Sequence, residues 1–375
     1  MVEIDFKNIV TEVDLIAFVQ GTIAGIFFII NAQLKKNKYN LLFGLFIISY
    51  TAELVFALFD KTGLLNLYPR LRFLPLSFSF LSLPLFYLYV KKISVFDIKP
   101  ADYRILVPGI IEFVFNTLWF VFYSNTDAFI HYFVIYKTIM LVLFILFNFY
   151  VLRLIVILEK KHKRIVYEQY SSTEGLSLKW CRQAAVVYLV FLLMIPIMVV
   201  INRIIPKNNF VLDLFFSVIN LLIIYWISIK AFEQKIVSSL FILSDNKSEI
   251  AELSVDVDES LIDEDFKRID VKILDNRLYK IVDLTILSLS EYIDLHPKRI
   301  SKVINYKTNG NFNNYINSFR VNEAKNMLTC DKFKYLSIEG IGYESGFKSK
   351  SVFYKTFKND TGLTPSNFRQ TNTQS

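Results

Sequence analysis

Two sets of side chains in this chain could do chemistry, and they want different surroundings. The first is a pair of donor-rich clusters near the C-terminal end: Lys298, Arg299, Ser301, Lys302 and Asn305, then Lys350, Ser351, Tyr354 and Lys355. At helical spacing each cluster has an apolar stripe behind it, Ile300, Val303 and Ile304 in the first, Phe353, Thr356 and Phe357 in the second. A short helix backed by such a stripe and faced with hydrogen-bond donors is what the major groove of a duplex admits. The second set is Glu53, Glu112, Lys137 and Asp213, each inside a long apolar run. Ionisable groups in hydrocarbon are costly, so they mark either a ligand-sensing pocket or pairs that hold a bundle together. The residue types alone allow both.

Neither set predicts bond-making. His131, His162 and His296 are scattered, and no paired-Asp, Ser–Lys or His–Glu–x–x–His constellation is present. Cys181 and Cys330 lie in different halves, without ligand spacing. The expected chemistry is equilibrium binding, with no enzyme activity, cofactor or metal.

The elements that must position these groups differ as much as the groups do. With 54% hydrophobic and 16% aromatic residues among 375, the chain is too apolar for one ordinary soluble domain. Apolar runs occur at 15–30, 41–59, 73–90, 105–123, 134–158, 184–201 and 210–229, and predict seven membrane spans. Gly21 and Gly25 form a small-residue packing motif on the first. With the N-terminus outside, the inside loops hold 13 Lys and Arg against six outside. The positive-inside bias therefore predicts an outward N-terminus and a cytoplasmic C-terminal module, which meets DNA there only in a bacterium. The first residues, Met1 to Asp5, lack the basic start of a cleaved signal peptide, so the first helix is expected to stay.

Charge divides the remainder of the chain. Residues 245–270 carry ten acids and three bases, a net −7, and 271–375 carry 16 bases and nine acids, a net +7. Residues 231–270 accordingly read as an extended or partly disordered acidic linker. Beyond it, Thr285, His296, Ser337 and Ser349 are expected helix caps, with Pro297 and Pro365 opening helices and Gly310, Gly346 and Gly362 supplying turns. A longer helix over 312–328 joins two units whose inward residues recur, Leu295 as Phe347 and Ile300 as Phe353.

The run from Ile341 to Lys358, with Thr361-Gly-Leu-Thr-Pro365 after it, resembles the AraC/XylS-type transcription regulators. The run from Leu284 to Ser290 and the connecting Tyr315–Lys325 look like the same domain, so the resemblance covers about 271–370. It implies a rigid pair of helix-turn-helix units on a linking helix, reading successive major-groove segments. The apolar half resembles a membrane-bound subset of that family in architecture. Gly342 and Ser290 stand where Ala is usual, His296 replaces a usual Ser cap, and Lys stands where Arg is frequent. Lys cannot make the planar bidentate contact to guanine, which lowers the expected sharpness of base reading.

The expected fold is thus all-α: a seven-helix transmembrane sensor (1–230), the acidic linker (231–270) and a soluble tandem helix-turn-helix domain (271–375). The expected function is membrane-anchored transcription regulation in the bacterial cytoplasmic membrane. The expected partners are duplex DNA, the lipid bilayer and a small or lipid-like signal, with a homodimer left open. The alternative is a transporter or receptor whose cytoplasmic tail docks a partner.

Overall fold

The computed structural model describes residues 6–34, 38–122, 127–204, 210–234 and 259–373. The secondary structure of these residues is helical apart from one isolated bridge, Tyr170 to Thr285. Most of the expected acidic linker, 235–258, lies outside the described residues. The chain divides into two units, Met1–Lys160 with Leu178–Val237, and Lys161–Ser177 with Ser238–Ser375.

In the first unit the helices are α1 (Phe6–Leu34), α2 (Lys38–Ala52), α3 (Leu54–Lys61), α4 (Leu64–Leu67), α5 (Ser79–Ile93), α6 (Val107–Val121), α7 (Asp127–Gln169), α8 (Lys179–Ile204) and α9 (Phe210–Glu233). The last turns of α7 pass into the second unit. Helix α2 packs between α1 and α5, and α1 also packs on α9. The expected small-residue motif lies at the α1–α2 crossing. A Cβ on Gly44 would stand 2.7 Å from the Gly25 carbonyl oxygen, so the two backbones touch. Phe46 and Phe86 pack with ring centroids 4.8 Å apart, and Phe43 and Tyr89 at 4.9 Å.

Five stretches among the described residues are long and apolar enough to cross a bilayer: Asn8–Leu34, Lys38–Lys61, Pro100–Val121, His131–Gln169 and Val211–Glu233. The expected third run, 73–90, is not one helix. Phe73 ends a 3-10 turn, Pro75 bars helical backbone at Leu74, and α5 begins only at Ser79. The expected sixth run lies within α8, whose side chains beyond Met194 fall outside the described set.

The second unit contains α10 (Glu259–Asp275), α11 (Ile286–Ile293), α12 (Pro297–Thr308), α13 (Phe312–Thr329), α14 (Ile338–Glu344), α15 (Lys350–Thr361) and α16 (Pro365–Thr373). Helix α10 begins inside the stretch expected to be an extended linker. Asp263, Glu264 and Asp275 are exposed, while Ile262, Ile269 and Ile273, all at 0% exposure, enter the core that also buries Ile286, Leu289 and Ile300. Amphipathic spacing outweighs the like charge there. Helix α13 serves both cores, giving Phe312, Tyr315 and Ile316 to the first and Val321, Ala324, Met327 and Leu328 to the second.

Candidate nucleic-acid interface

Local hydrogen bonds set the helix ends of both units. Thr285 Oγ1 accepts from the Ser288 amide at 3.1 Å, and Ser288 Oγ accepts from the Thr285 amide at 3.0 Å, a reciprocal cap on α11. His296 Nδ1 accepts from the Lys298 amide at 3.3 Å, with Pro297 at the first helical position of α12. Asn311, Ser337 and Ser349 cap α13, α14 and α15. The first turn comes at Asp294, φ 56°, and the second at Gly346, φ +94°. The left-handed residue expected at Gly310 is instead Asn309, φ 48°, which ends α12 one position earlier.

Helices α12 and α15 each lie over a buried apolar stripe. Ile300, Val303 and Ile304 are buried under α12, and Phe353 and Phe357 under α15. Phe353 and Phe357 meet edge to face at 5.6 Å, and Phe347 lies 5.1 Å from Phe353. What remains outward is the candidate surface. Lys302, Ser351 and Lys355 are exposed, and Lys298, Ser301 and Tyr354 are half-buried.

Two expected contact residues, Arg299 and Lys350, have other engagements. Arg299 Nε donates to Asp265 Oδ2 at 2.6 Å, so the side chain turns back onto α10 and is removed from the reading face. Its position in the helix places it beside the stripe rather than opposite it. Lys350 pairs with Glu339 on α14, and that bond holds its ammonium pKa above the ordinary value. Asn305 is half-buried, and its Oδ1 has no hydrogen-bond partner among the described residues.

Two polar contacts escaped the reading of the sequence. Arg320, at 1% exposure, donates Nε to the Tyr279 carbonyl at 2.7 Å and a guanidinium N–H to the Ile281 carbonyl at 2.8 Å. Burial lowers its pKa to about 10, against an upward pull from Asp283, and it stays charged at neutral pH. The signal was available: Arg320 falls between Ile316 and Ala324 on the core stripe of α13. Tyr315 donates its hydroxyl to Asp270 Oδ1 at 2.8 Å, and burial together with that bond pushes the phenol pKa far up.

Two of the four ionisable groups of the apolar runs line one cavity. Glu53 stands at the break between α2 and α3, and with Asp213 lines a cavity of about 290 Å³. Asp14, Tyr50, Lys61 and Asn220 are on its wall, with the rings of Phe191 and Phe216. Asp14 pairs with Lys61, and Tyr50 donates to Asn220 Oδ1 at 2.5 Å, while Glu53 Oε1 is buried without a partner among the described residues. Glu112 and Lys137 are not on that wall, although their charges reach Glu53. Glu112 accepts from the Phe80 amide and the Ser77 hydroxyl, both at 3.1 Å, and so satisfies the open start of α5. Lys137 donates to Asn116 Oδ1 at 3.3 Å. Of the four groups, Glu53 and Asp213 are thus on the wall of this cavity, and Glu112 serves the start of α5.

Residues 289–371 match the family described as helix-turn-helix domain. The chain is 32% identical over 87 residues to an uncharacterized HTH-type transcriptional regulator of Staphylococcus aureus strain COL, and equally to one of strain MSSA476. That stretch is 23% of this chain, and the chain spans only 11% of the length of these relatives. No solved structure matches the chain. The chain thus carries, at its C-terminal end, a helix-turn-helix domain similar to that of HTH-type transcriptional regulators.

Proposed function

We propose that this protein is a membrane-anchored transcription regulator that binds duplex DNA through two helix-turn-helix units, under the control of a signal sensed in its apolar unit. The observation that carries the first part is the twin construction of α12 and α15. Each is capped, lies over a buried stripe, and presents Lys302 or Lys355 to solvent within the matched domain. Lys offers charge and donors to phosphates, the contacts that position a reader on the duplex.

Membrane anchoring is supported by helices that are apolar on every side. Helix α1 buries Val10, Ala17 and Phe28, yet Ile16, Ile23 and Leu34 on its outer face are 53%, 62% and 77% exposed. A soluble helix would put charge there. Helices α6 and α7 repeat the pattern with Ile110, Val121, Val142 and Leu146. Such continuous apolar surface exceeds what a water-soluble monomer shows.

Parity favours seven crossings over five. Segment 161–177 belongs to the same unit as 259–373, so both need one side of the bilayer. An even number of crossings must separate them, and α9 alone would be one. Helix α8 therefore completes the pair. Helix α5 spans only about 22 Å at 1.5 Å per residue, short of the roughly 30 Å core. Residues 74–78 extend it, and irregular backbone at that depth is tolerated where protein groups such as Glu112 satisfy it.

For the signal, the cavity holding Glu53 and Asp213 is the favoured site, taking a small or lipid-like molecule with a polar end. The test of the whole reading is selection of genomic fragments by the full chain in lipid nanodiscs. Discrete promoter-proximal sequences should be enriched and lost with Lys302→Ala plus Lys355→Ala. Retention of no DNA, or equal retention by the double variant, would refute it.

A further inference from the structure

The connection between α7 and α8 does not end at the membrane unit. Residues 161–177 fold into the second unit and dock on the helix-turn-helix domain, far away in sequence. The Ser171 amide donates to the Leu284 carbonyl at 3.0 Å, and Tyr170 bridges to Thr285, the cap of α11. Asn313 Nδ2 donates to the Ser171 carbonyl at 2.8 Å and to that of Tyr170 at 3.2 Å. Arg320 adds bonds to the Ser171 carbonyl at 3.3 Å and hydroxyl at 3.1 Å. Ser171 is 1% exposed and Ser172 8%. The segment is pinned on itself as well, through His162 Nε2 and the Leu176 carbonyl at 2.8 Å.

Two features make this a contact that can open. Arg320 does not depend on it: without Ser171 the guanidinium keeps the carbonyls of Tyr279, Ile281 and Val282 and the Asn317 side chain. Withdrawal therefore strands no buried charge. Ser172 Oγ, in turn, is buried without a partner among the described residues, so the docked state is not fully satisfied.

The segment also occupies ground a duplex would need. In helix-turn-helix docking the first helix of the motif crosses the sugar–phosphate backbone, and here the start of that helix, α11, is where Tyr170 and Ser171 lie. On the other side Tyr167, Ser172 and Thr173 share a cleft of about 440 Å³ with Lys355 and Thr356 of the second reading helix.

We infer that the surface formed by Leu284, Asn313 and Arg320 is a docking site for this chain's own segment 161–177, and that the docked segment competes with duplex DNA. The inference rests on the proposed DNA binding. It gives the membrane unit a handle on the reader other than the acidic linker, because both ends of the segment continue into α7 and α8. A signal that moves those helices would seat or withdraw it.

The test uses the full chain in lipid nanodiscs and a fluorescein-labelled mixed-sequence duplex at low salt. Ser171→Pro removes the amide and hydroxyl bonds, and Asn313→Ala removes the receiving side chain. Both should bind the duplex about fivefold or more tightly than the parent, the scale of an ordinary coupling. In a Cys330→Ser background, Ser172→Cys should react with a maleimide faster when duplex is bound. Affinity unchanged or lowered in both variants, with Lys355→Ala still weakening binding, overturns the competing segment and leaves the DNA reading intact. Binding by none of the proteins overturns both.

Discussion

Gly342 lies so close beneath the ring of Phe353 that a Cβ at that position would stand 2.6 Å from Cδ1. The crossing of α14 and α15 is therefore built on a bare backbone, where the resembling family usually has Ala. Gly342→Ala gains roughly 1 kcal/mol of helix propensity but must push back a ring at 0% exposure. Overpacking of this kind costs about 1–3 kcal/mol. The expected outcome is a net loss of stability, read as a lower urea midpoint for fragment 259–375.

Helix α10 should decide whether the isolated reader folds. A fragment beginning at 271 lacks Ile262 and Ile269, and Ile→Ala at either position removes a fully buried side chain, worth about 2–5 kcal/mol. Fragment 259–375 should unfold cooperatively, whereas 271–375 should melt lower or without a sharp transition. Equal melting of the two would mean that α10 merely rests on the surface.

Among basic residues, position should matter more than charge. Lys302→Ala and Lys355→Ala should each weaken duplex binding and lower the log–log salt slope by about 0.9 per lost phosphate contact. Lys332→Ala, in a 3-10 turn remote from both reading helices in sequence, should change little. Arg299→Ala should act through stability, since its partner is Asp265. Asp265→Ala should then reproduce the Arg299 effect, which fluorescence anisotropy and thermal melting together would reveal.

The two carboxylates of the apolar unit should behave differently on neutralisation. Asp213→Asn lies on the cavity wall and should alter regulated transcription at normal membrane abundance. Glu112→Ala leaves the Phe80 amide and the Ser77 hydroxyl without their acceptor, a loss of about 1–3 kcal/mol for each buried group. Its abundance should fall. Quantitative membrane immunoblots beside a reporter assay separate the two, and the reverse pattern would exchange their roles.

Reporter fusions test the crossings. Fusions after Phe59 and after Ile229 should report opposite sides under five or seven crossings. One after Lys99 tests α5 itself, because Lys99 lies on the side opposite Phe59 only if α5 crosses. An extracytoplasmic signal at Lys99 would remove α5 from the set.

Features that depend on neighbours along the chain were legible in its residue order. Caps at Thr285, Ser337 and Ser349 form bonds within three residues, so the starts of α11, α14 and α15 follow from residue type. The stripe Ile300, Val303 and Ile304 likewise announces which face of α12 is buried, because helical period alone aligns it. Apolar runs show which helices are long and apolar enough to cross a bilayer, since length and hydropathy need no partner. Packing between distant segments set the remaining contacts. Arg299 and Lys302 are alike as basic residues of one helix, but one reaches Asp265 and the other stays exposed. Acidic residues 259–270 promised an extended linker until a core accepted Ile262 and Ile269. Ser171 and Arg320 are 149 positions apart, and no local rule pairs a serine after one helix with an arginine inside another. Such contacts arise where two surfaces happen to fit, and a linear period carries no information about the surface it will meet.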